Sequence, residues 1–125
     1  MEGSSIDRLL EESRRRLDRV QPDRLEDEVA AGALVVDIRP VVNRDGEGAL
    51  PGALVVDRNV LEWRLDPTSP DRLPEADDPD RRIVLVCNEG YASSLAAETL
   101  QRIGLRHATD LAGGYRAWRA LHPED

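Results

Sequence analysis

The chain has 125 residues, 40% of them hydrophobic and 34% charged, with 25 acidic against 17 basic side chains and a formal net charge of −8. That length and balance describe one globular domain rather than a disordered chain, and the negative charge argues against nucleic acid as a partner. One cysteine cannot form an internal disulfide, one cysteine with two distant histidines cannot build a zinc site, and no apolar run approaches the about 20 residues of a membrane span.

No metal, no cofactor and no membrane association are therefore expected. The N-terminus is polar and lacks a signal-peptide core, which points to the cytoplasm, where a lone thiol stays reduced. Every basic residue is Arg, read as the habit of a GC-rich bacterial genome rather than as function, and Phe is absent, so the core must be Val, Leu, Ile and Ala.

In chain order, Ser4 to Asp18 carries Ile6, Leu9, Leu10 and Leu17 among charges, the pattern of an amphipathic helix with a narrow apolar stripe. Residues 1–18 read as a helical extension, and 19–125 as the domain proper. Arg14, Arg15 and Arg16 read as a solvated face. Arg19–Gln21 fits a very short strand. Pro22 then opens a helix, with Leu25 and Val29 turned inward and Gly32 closing it. Leu34–Ile38 is a buried strand that ends in Asp37-Ile38-Arg39-Pro40, and a loop rich in Gly, Asp and Glu continues to Gly48. After the Pro51-Gly52 turn, Ala53–Val56 forms a third strand ending in Asp57-Arg58. Val60, Leu61 and Leu65 suggest a short helix stopped by Pro67. The proline-rich, acidic stretch from Pro70 to Arg82 is an exposed connection.

Ile83-Val84-Leu85-Val86 follows, four aliphatic residues in a row and hence a strand buried on both faces. Cys87 comes next, then the small loop Asn88-Glu89-Gly90-Tyr91-Ala92. Leu95, Ala96, Thr99, Leu100 and Ile103 then recur at helical spacing before Gly104, with Ser93 or Ser94 as the expected N-cap. Ala108–Leu111 is a weaker strand, and Gly113-Gly114 leads into a last helix with Tyr115, Trp118 and Leu121. Strands alternating with helices imply a parallel sheet covered on both faces, with its site beyond the carboxyl ends of the strands. There Asp37, Arg39, Asp57, Arg58, the Cys87 loop and Gly113-Gly114 should gather. A sulfur ringed by backbone N–H groups at a helix N-terminus has a lowered thiol pKa and welcomes a small sulfur or oxygen anion.

Several of these pieces resemble the rhodanese-like sulfurtransferase family, over roughly Arg19 to Leu121. They are Val36-Asp37-Ile38-Arg39, Leu50-Pro51-Gly52-Ala53, the strand into Cys87 with Gly90 three residues on, and Leu111-Ala112-Gly113-Gly114-Tyr115-Arg116-Ala117-Trp118. The resemblance implies an α/β fold with a five-stranded parallel sheet and helices on both faces, plus the extra N-terminal helix. It implies that Cys87 is the nucleophile, taking a sulfane sulfur from a small sulfur-containing anion or a persulfide and passing it to a thiol or cyanide acceptor. Asn88, Glu89, Gly90, Tyr91, Ala92 and Ser93 would line the substrate, helped by Arg58 and Arg39, while Asp37 and Arg39 form an ion pair that fixes their loop.

The chain departs from that family's pattern in lacking Arg or Lys within the loop and in having Ala49 where a histidine is usual. An inward-facing Glu89 would repel an anion by about 4 kcal/mol per unit charge at ~4 Å and an effective dielectric near ~20. Two other readings follow. One is a weakly catalytic module that binds an anion or a protein and senses redox state through Cys87. The other is a cysteine phosphatase or arsenate reductase, which needs an Arg six residues after the cysteine, where this chain has Ser93.

Overall fold

The computed structural model describes residues 3–123, so residues 1–2 and 124–125, the outermost parts of the two expected segments, lie outside the described residues. Four strands form one parallel sheet: β1 (Leu34–Asp37), β2 (Leu54–Val55), β3 (Ile83–Val86) and β4 (Ala108–Asp110), in the order β2-β1-β3-β4. The helices are α1 (Ser5–Arg14), α2 (Leu25–Ala30), α3 (Val41–Glu47), α4 (Leu61–Leu65), α5 (Ala92–Arg102) and α6 (Gly114–Leu121).

The two-residue period of the strands explains the layers. Leu34 and Val36 of β1 and Ile83 and Leu85 of β3 face one side, packing with Leu61 and Leu65 of α4, Ala96, Ala97 and Leu100 of α5, and Leu17. Val35, Val84 and Val86 face the other side, with Leu25 of α2 and Tyr115 and Trp118 of α6. Both faces are covered, so the central strands read as unbroken apolar runs.

The sheet has four strands, not the expected five. The segment expected to supply the fifth makes a single parallel bridge, Val20 to Leu111. Val20 N–H donates to the Asp110 carbonyl at 2.9 Å, and Ala112 N–H donates to the Val20 carbonyl at 2.8 Å. Pairing stops there because Pro22 has no N–H and starts a 3-10 turn over Pro22–Arg24.

The loop expected before Gly48 is instead helix α3. Its Val41 and Val42 are exposed, so it has no apolar stripe for periodicity to reveal. It is held from outside: Tyr115 Oη donates to the Glu47 carbonyl at 2.9 Å, and Gly48 ends it at φ +109°. Val29, expected inward, is half exposed. The N-terminal helix opens with a capping box, Ser4 Oγ accepting from Asp7 N–H while Asp7 accepts from Ser4 N–H. It lies along α5 and buries Ser13, with Leu17 just beyond it entering the core. Among the described residues no helix is long and apolar enough to cross a membrane.

The chain turns from β1 to β2 on one side of the sheet and from β3 to β4 on the other. The carboxyl ends of β1 and β3 therefore flank the point where strand order reverses, the crevice in which open parallel sheets hold ligands. Asp37 pairs in register with Val86, the residue before Cys87.

Candidate active site

Cys87 stands at the end of β3 and is 8% exposed. Three groups meet its sulfur. Gly90 N–H donates to Sγ at 3.1 Å, Ser93 N–H donates at 3.4 Å, and the thiol itself donates to Ser93 Oγ at 3.2 Å. Helix α5 begins at Ala92, with Tyr91 in the N-cap position and no side-chain cap. This corrects the expected serine cap. The second helical N–H, which a capping oxygen ordinarily receives, goes to the cysteine sulfur. The sulfur thus occupies the acceptor position of a helix N-terminus, where an anion is favoured.

The loop can close so tightly because of two glycines. Gly90 has φ +86°, and a Cβ there would sit 2.7 Å from the Gly113 nitrogen. At Gly114 a Cβ would meet the Cys87 carbonyl at 2.5 Å and the Asn88 carbonyl carbon at 2.7 Å. Their absence lets the start of α6 approach: Tyr115 N–H donates to the Cys87 carbonyl at 2.8 Å and Arg116 N–H to the Asn88 carbonyl at 3.1 Å. Gly113-Gly114 therefore gathers at the site as expected.

Beneath the sulfur lies a buried polar network that sequence reasoning missed. Asp110, at the carboxyl end of β4, is fully buried and accepts from Ser93 Oγ at 2.7 Å and Ser94 Oγ at 2.8 Å. Arg19 forks onto the same carboxylate, Nε at 2.9 Å and Nη2 at 3.2 Å, and its Nη2 also donates to the Gly90 carbonyl at 2.9 Å. Arg14 donates through Nη2 to that carbonyl at 2.7 Å and through Nε to Ser94 Oγ at 3.1 Å. Arg14 is half-buried, which corrects its reading as part of a solvated face; Arg15 and Arg16 are exposed. Burial, and then the neighbouring Arg19, lower the Arg14 guanidinium from its ordinary value. The one available signal was a lone acid closing an apolar strand at the sheet's carboxyl edge.

The remaining expected site residues divide clearly. Asp37 and Arg39 are both buried and form a two-pronged pair, Nη2 to Oδ2 at 2.7 Å and Nε to Oδ1 at 3.0 Å. Arg39 also donates to the Gly48 carbonyl at 2.9 Å and lies 3.9 Å over the Tyr115 ring. It is a strut between β1, α3 and α6, and its expected role as a substrate contact gives way to that one. Arg58 forks onto Glu62 of α4 at 2.9 and 3.1 Å, and its hydrogen bonds do not reach the Cys87 loop. Asp57 accepts from Asn59 N–H at 2.7 Å and so caps the following turn. Tyr91 is exposed, with the Arg14 guanidinium 5.7 Å from its ring centre. Ala92 is exposed too.

Glu89 turns outward and pairs with Arg116 at 3.2 Å, so the expected repulsion of an anion is reduced. Asn88 Nδ2 donates to Glu47 Oε2 at 3.1 Å, and Arg116 grips the same carboxylate at 3.0 and 3.2 Å. The Arg116 hydrogen bonds, then that from Asn88, hold Glu47 down at about 2 from an ordinary 4.5. Because the folded value is depressed, this latch adds stability above about pH 4.5 and loses it as pH falls toward about 2. The stability difference between wild type and E47Q, from urea unfolding, is expected to be constant above about pH 5 and to shrink steadily on acidification below that.

A parallel α/β sheet with a cysteine at its switch point, its sulfur met by two backbone N–H groups of the following loop and helix, defines an α/β domain built around one thiol. The chain belongs to the rhodanese-like domain family, whose model matches residues 21–121. Among its relatives, the thiosulfate sulfurtransferase GlpE of Stutzerimonas stutzeri is 30% identical over 107 residues, covering 86% of this chain and 89% of that protein. The human single-domain sulfurtransferase TSTD1 superposes with a TM-score of 0.69 at 26% identity, over 86% of this chain and 97% of that one. A Rhodopseudomonas palustris protein of unknown function, described as a possible tyrosine phosphatase, superposes at 0.85 with 30% identity, over 98% of this chain and 94% of its own.

Proposed function

We propose that the protein is a sulfurtransferase that carries a sulfane sulfur on Cys87. The Cys87 thiolate attacks the outer sulfur of thiosulfate or of a small persulfide. A new S–S bond forms at Sγ, the donor's own S–S bond breaks, and sulfite or a thiolate leaves with the electron pair. A thiolate or cyanide acceptor then attacks the outer sulfur of the Cys87 persulfide, and Sγ departs as thiolate. The observation that carries this reading is the convergence of the Gly90 and Ser93 N–H groups on Sγ. Those donors are fixed by the fold, so they stabilise negative charge on sulfur without reorganising during the reaction.

The outward Glu89 removes one objection to a dianionic donor, and the names of the GlpE relatives favour thiosulfate as that donor. Mass spectrometry after incubation with thiosulfate, and separately with a small-molecule persulfide, tests the proposal. A gain of one sulfur on Cys87 that disappears on adding cyanide is the expected result; an unchanged mass with both donors defeats it.

The description of the Rhodopseudomonas palustris protein raises phosphatase chemistry as a second reading. Such chemistry needs a guanidinium inside the loop to clamp the oxyanion with two hydrogen bonds. Position six after Cys87 holds Ser93 here, and Arg14 and Arg19 bond the Gly90 carbonyl from outside. Hydrolysis of a generic phosphate ester is therefore expected to stay at background.

A further inference from the structure

The Cys87 loop from Asn88 to Ala92 contains an acid and no base. Two arginines nevertheless reach its Gly90 carbonyl, and both precede residue 21, where the family match begins. Arg14 ends α1 and Arg19 lies five residues on; both donate to the Gly90 carbonyl, at 2.7 and 2.9 Å. Gly90 N–H is the donor nearest to Sγ, at 3.1 Å. Fixing the Gly90 carbonyl sets the rotation on the far side of the same Cα, and through the planar peptide it turns the Tyr91 N–H away from the arginines.

The charges near this end of the loop do not cancel. Asp110 contributes one negative charge, Arg19 pairs with it, and Arg14 is a second cation that donates here to a hydroxyl and a carbonyl. The other charged groups around the loop, Glu89, Arg116 and Glu47, pair with one another on the outer side, and Tyr91 is exposed under Arg14.

We propose that Arg14 and Arg19 are positioning residues of the active site, through which the N-terminal segment supplies the positive field and the loop geometry that the Cys87 loop lacks on its own. Helix α1 docks on α5 in a way that delivers a cation to the rear of the sulfur cradle, so the segment outside the family core is a functional part of it. The Rhodopseudomonas palustris structure, which matches over 98% of this chain, extends over the same segment. The inference deepens the sulfurtransferase reading but can be tested apart from it, because alkylation of Cys87 requires no sulfur donor.

The test is the pH profile of Cys87 alkylation by iodoacetamide in wild type, R14Q, R14K, R19Q and the R14Q/R19Q double variant, each first shown to unfold cooperatively. The pH of half-maximal rate is expected to rise in each Gln variant and by about one pH unit in the double variant, a roughly tenfold slower reaction at a fixed pH below the midpoint. R14K, which keeps the charge, should stay close to wild type. A folded double variant with the wild-type profile overturns the proposal and leaves the arginines a purely structural role. R14Q preserves the Arg19–Asp110 pair, so it decides the matter should the double variant not fold; a wild-type profile in R14Q is then the overturning result. If the profiles shift as expected while no sulfane donor adds sulfur to wild type, the sulfurtransferase reading fails and the positioning role stands.

Discussion

Replacing Cys87 by Ser is expected to abolish sulfur uptake and transfer while leaving the protein folded. Sγ is held by Gly90 N–H, Ser93 N–H and Ser93 Oγ, and a serine hydroxyl can take up the same three partners. The substitution leaves volume nearly unchanged at a site whose neighbours are polar on the loop side, so the stability change should be about 1 kcal/mol or less. The chemistry has no such tolerance. A hydroxyl at neutral pH is a poor nucleophile without an adjacent base, whereas a thiol supplies a useful fraction of thiolate. Intact mass after exposure to thiosulfate or a persulfide, read beside the thermal unfolding curve, checks both halves. Sulfur retained covalently by folded C87S would place the acceptor atom elsewhere in the chain.

Asp110→Ala is expected to be the most destabilising single change near the site, by about 3–5 kcal/mol. The fully buried carboxylate accepts from two serine hydroxyls and from both prongs of Arg19. Removing it leaves a largely buried guanidinium without its counter-charge and two hydroxyls without their acceptor, and each unmet group costs its desolvation. Against a total stability of about 5–15 kcal/mol, that loss is a large fraction. It corresponds to a fall in Tm of roughly 10 °C or more. Asp110→Asn should lose less, because the amide oxygen still accepts from a serine, but it cannot neutralise Arg19. Urea unfolding of the three proteins measures the order. D110A within about 1 kcal/mol of wild type would mean that Arg19 finds another partner and that the network is dispensable.

The two predictions differ in how much of their basis the amino-acid order exposes. Cys87 stands out because β3 is an unbroken run of four aliphatic residues, which reads as a strand buried on both faces, and because α5 follows within a few residues. Asp110 does not stand out: an acid after Ala108-Thr109 looks like the end of a weak strand. Its importance comes from Arg19, 91 positions away, and from two serines whose natural reading was helix capping. The capping expectation failed for a definite reason: the helix begins already at Ala92, which puts both serines inside its first turn, where their hydroxyls donate to Asp110. Helix α3 was hidden for a different one. With both valines in solvent, it is held by Tyr115 at its end and by no apolar face of its own.

The order of amino acids alone determined the parallel α/β architecture, the two-faced burial of β1 and β3, the place of Cys87 at a strand end, and the gathering of Gly113-Gly114 beside it. Each of these follows from patterns spanning a few residues, where strand period, turn chemistry and helix ends leave few alternatives. Only the tertiary structure decided that Arg39 is a strut, that Glu89 faces outward, that the fifth strand shrinks to one bridge, and that Arg14 reaches a carbonyl 76 positions away. Those outcomes depend on which helix face docks where, and a long charged side chain carries no local periodicity that records its eventual partner.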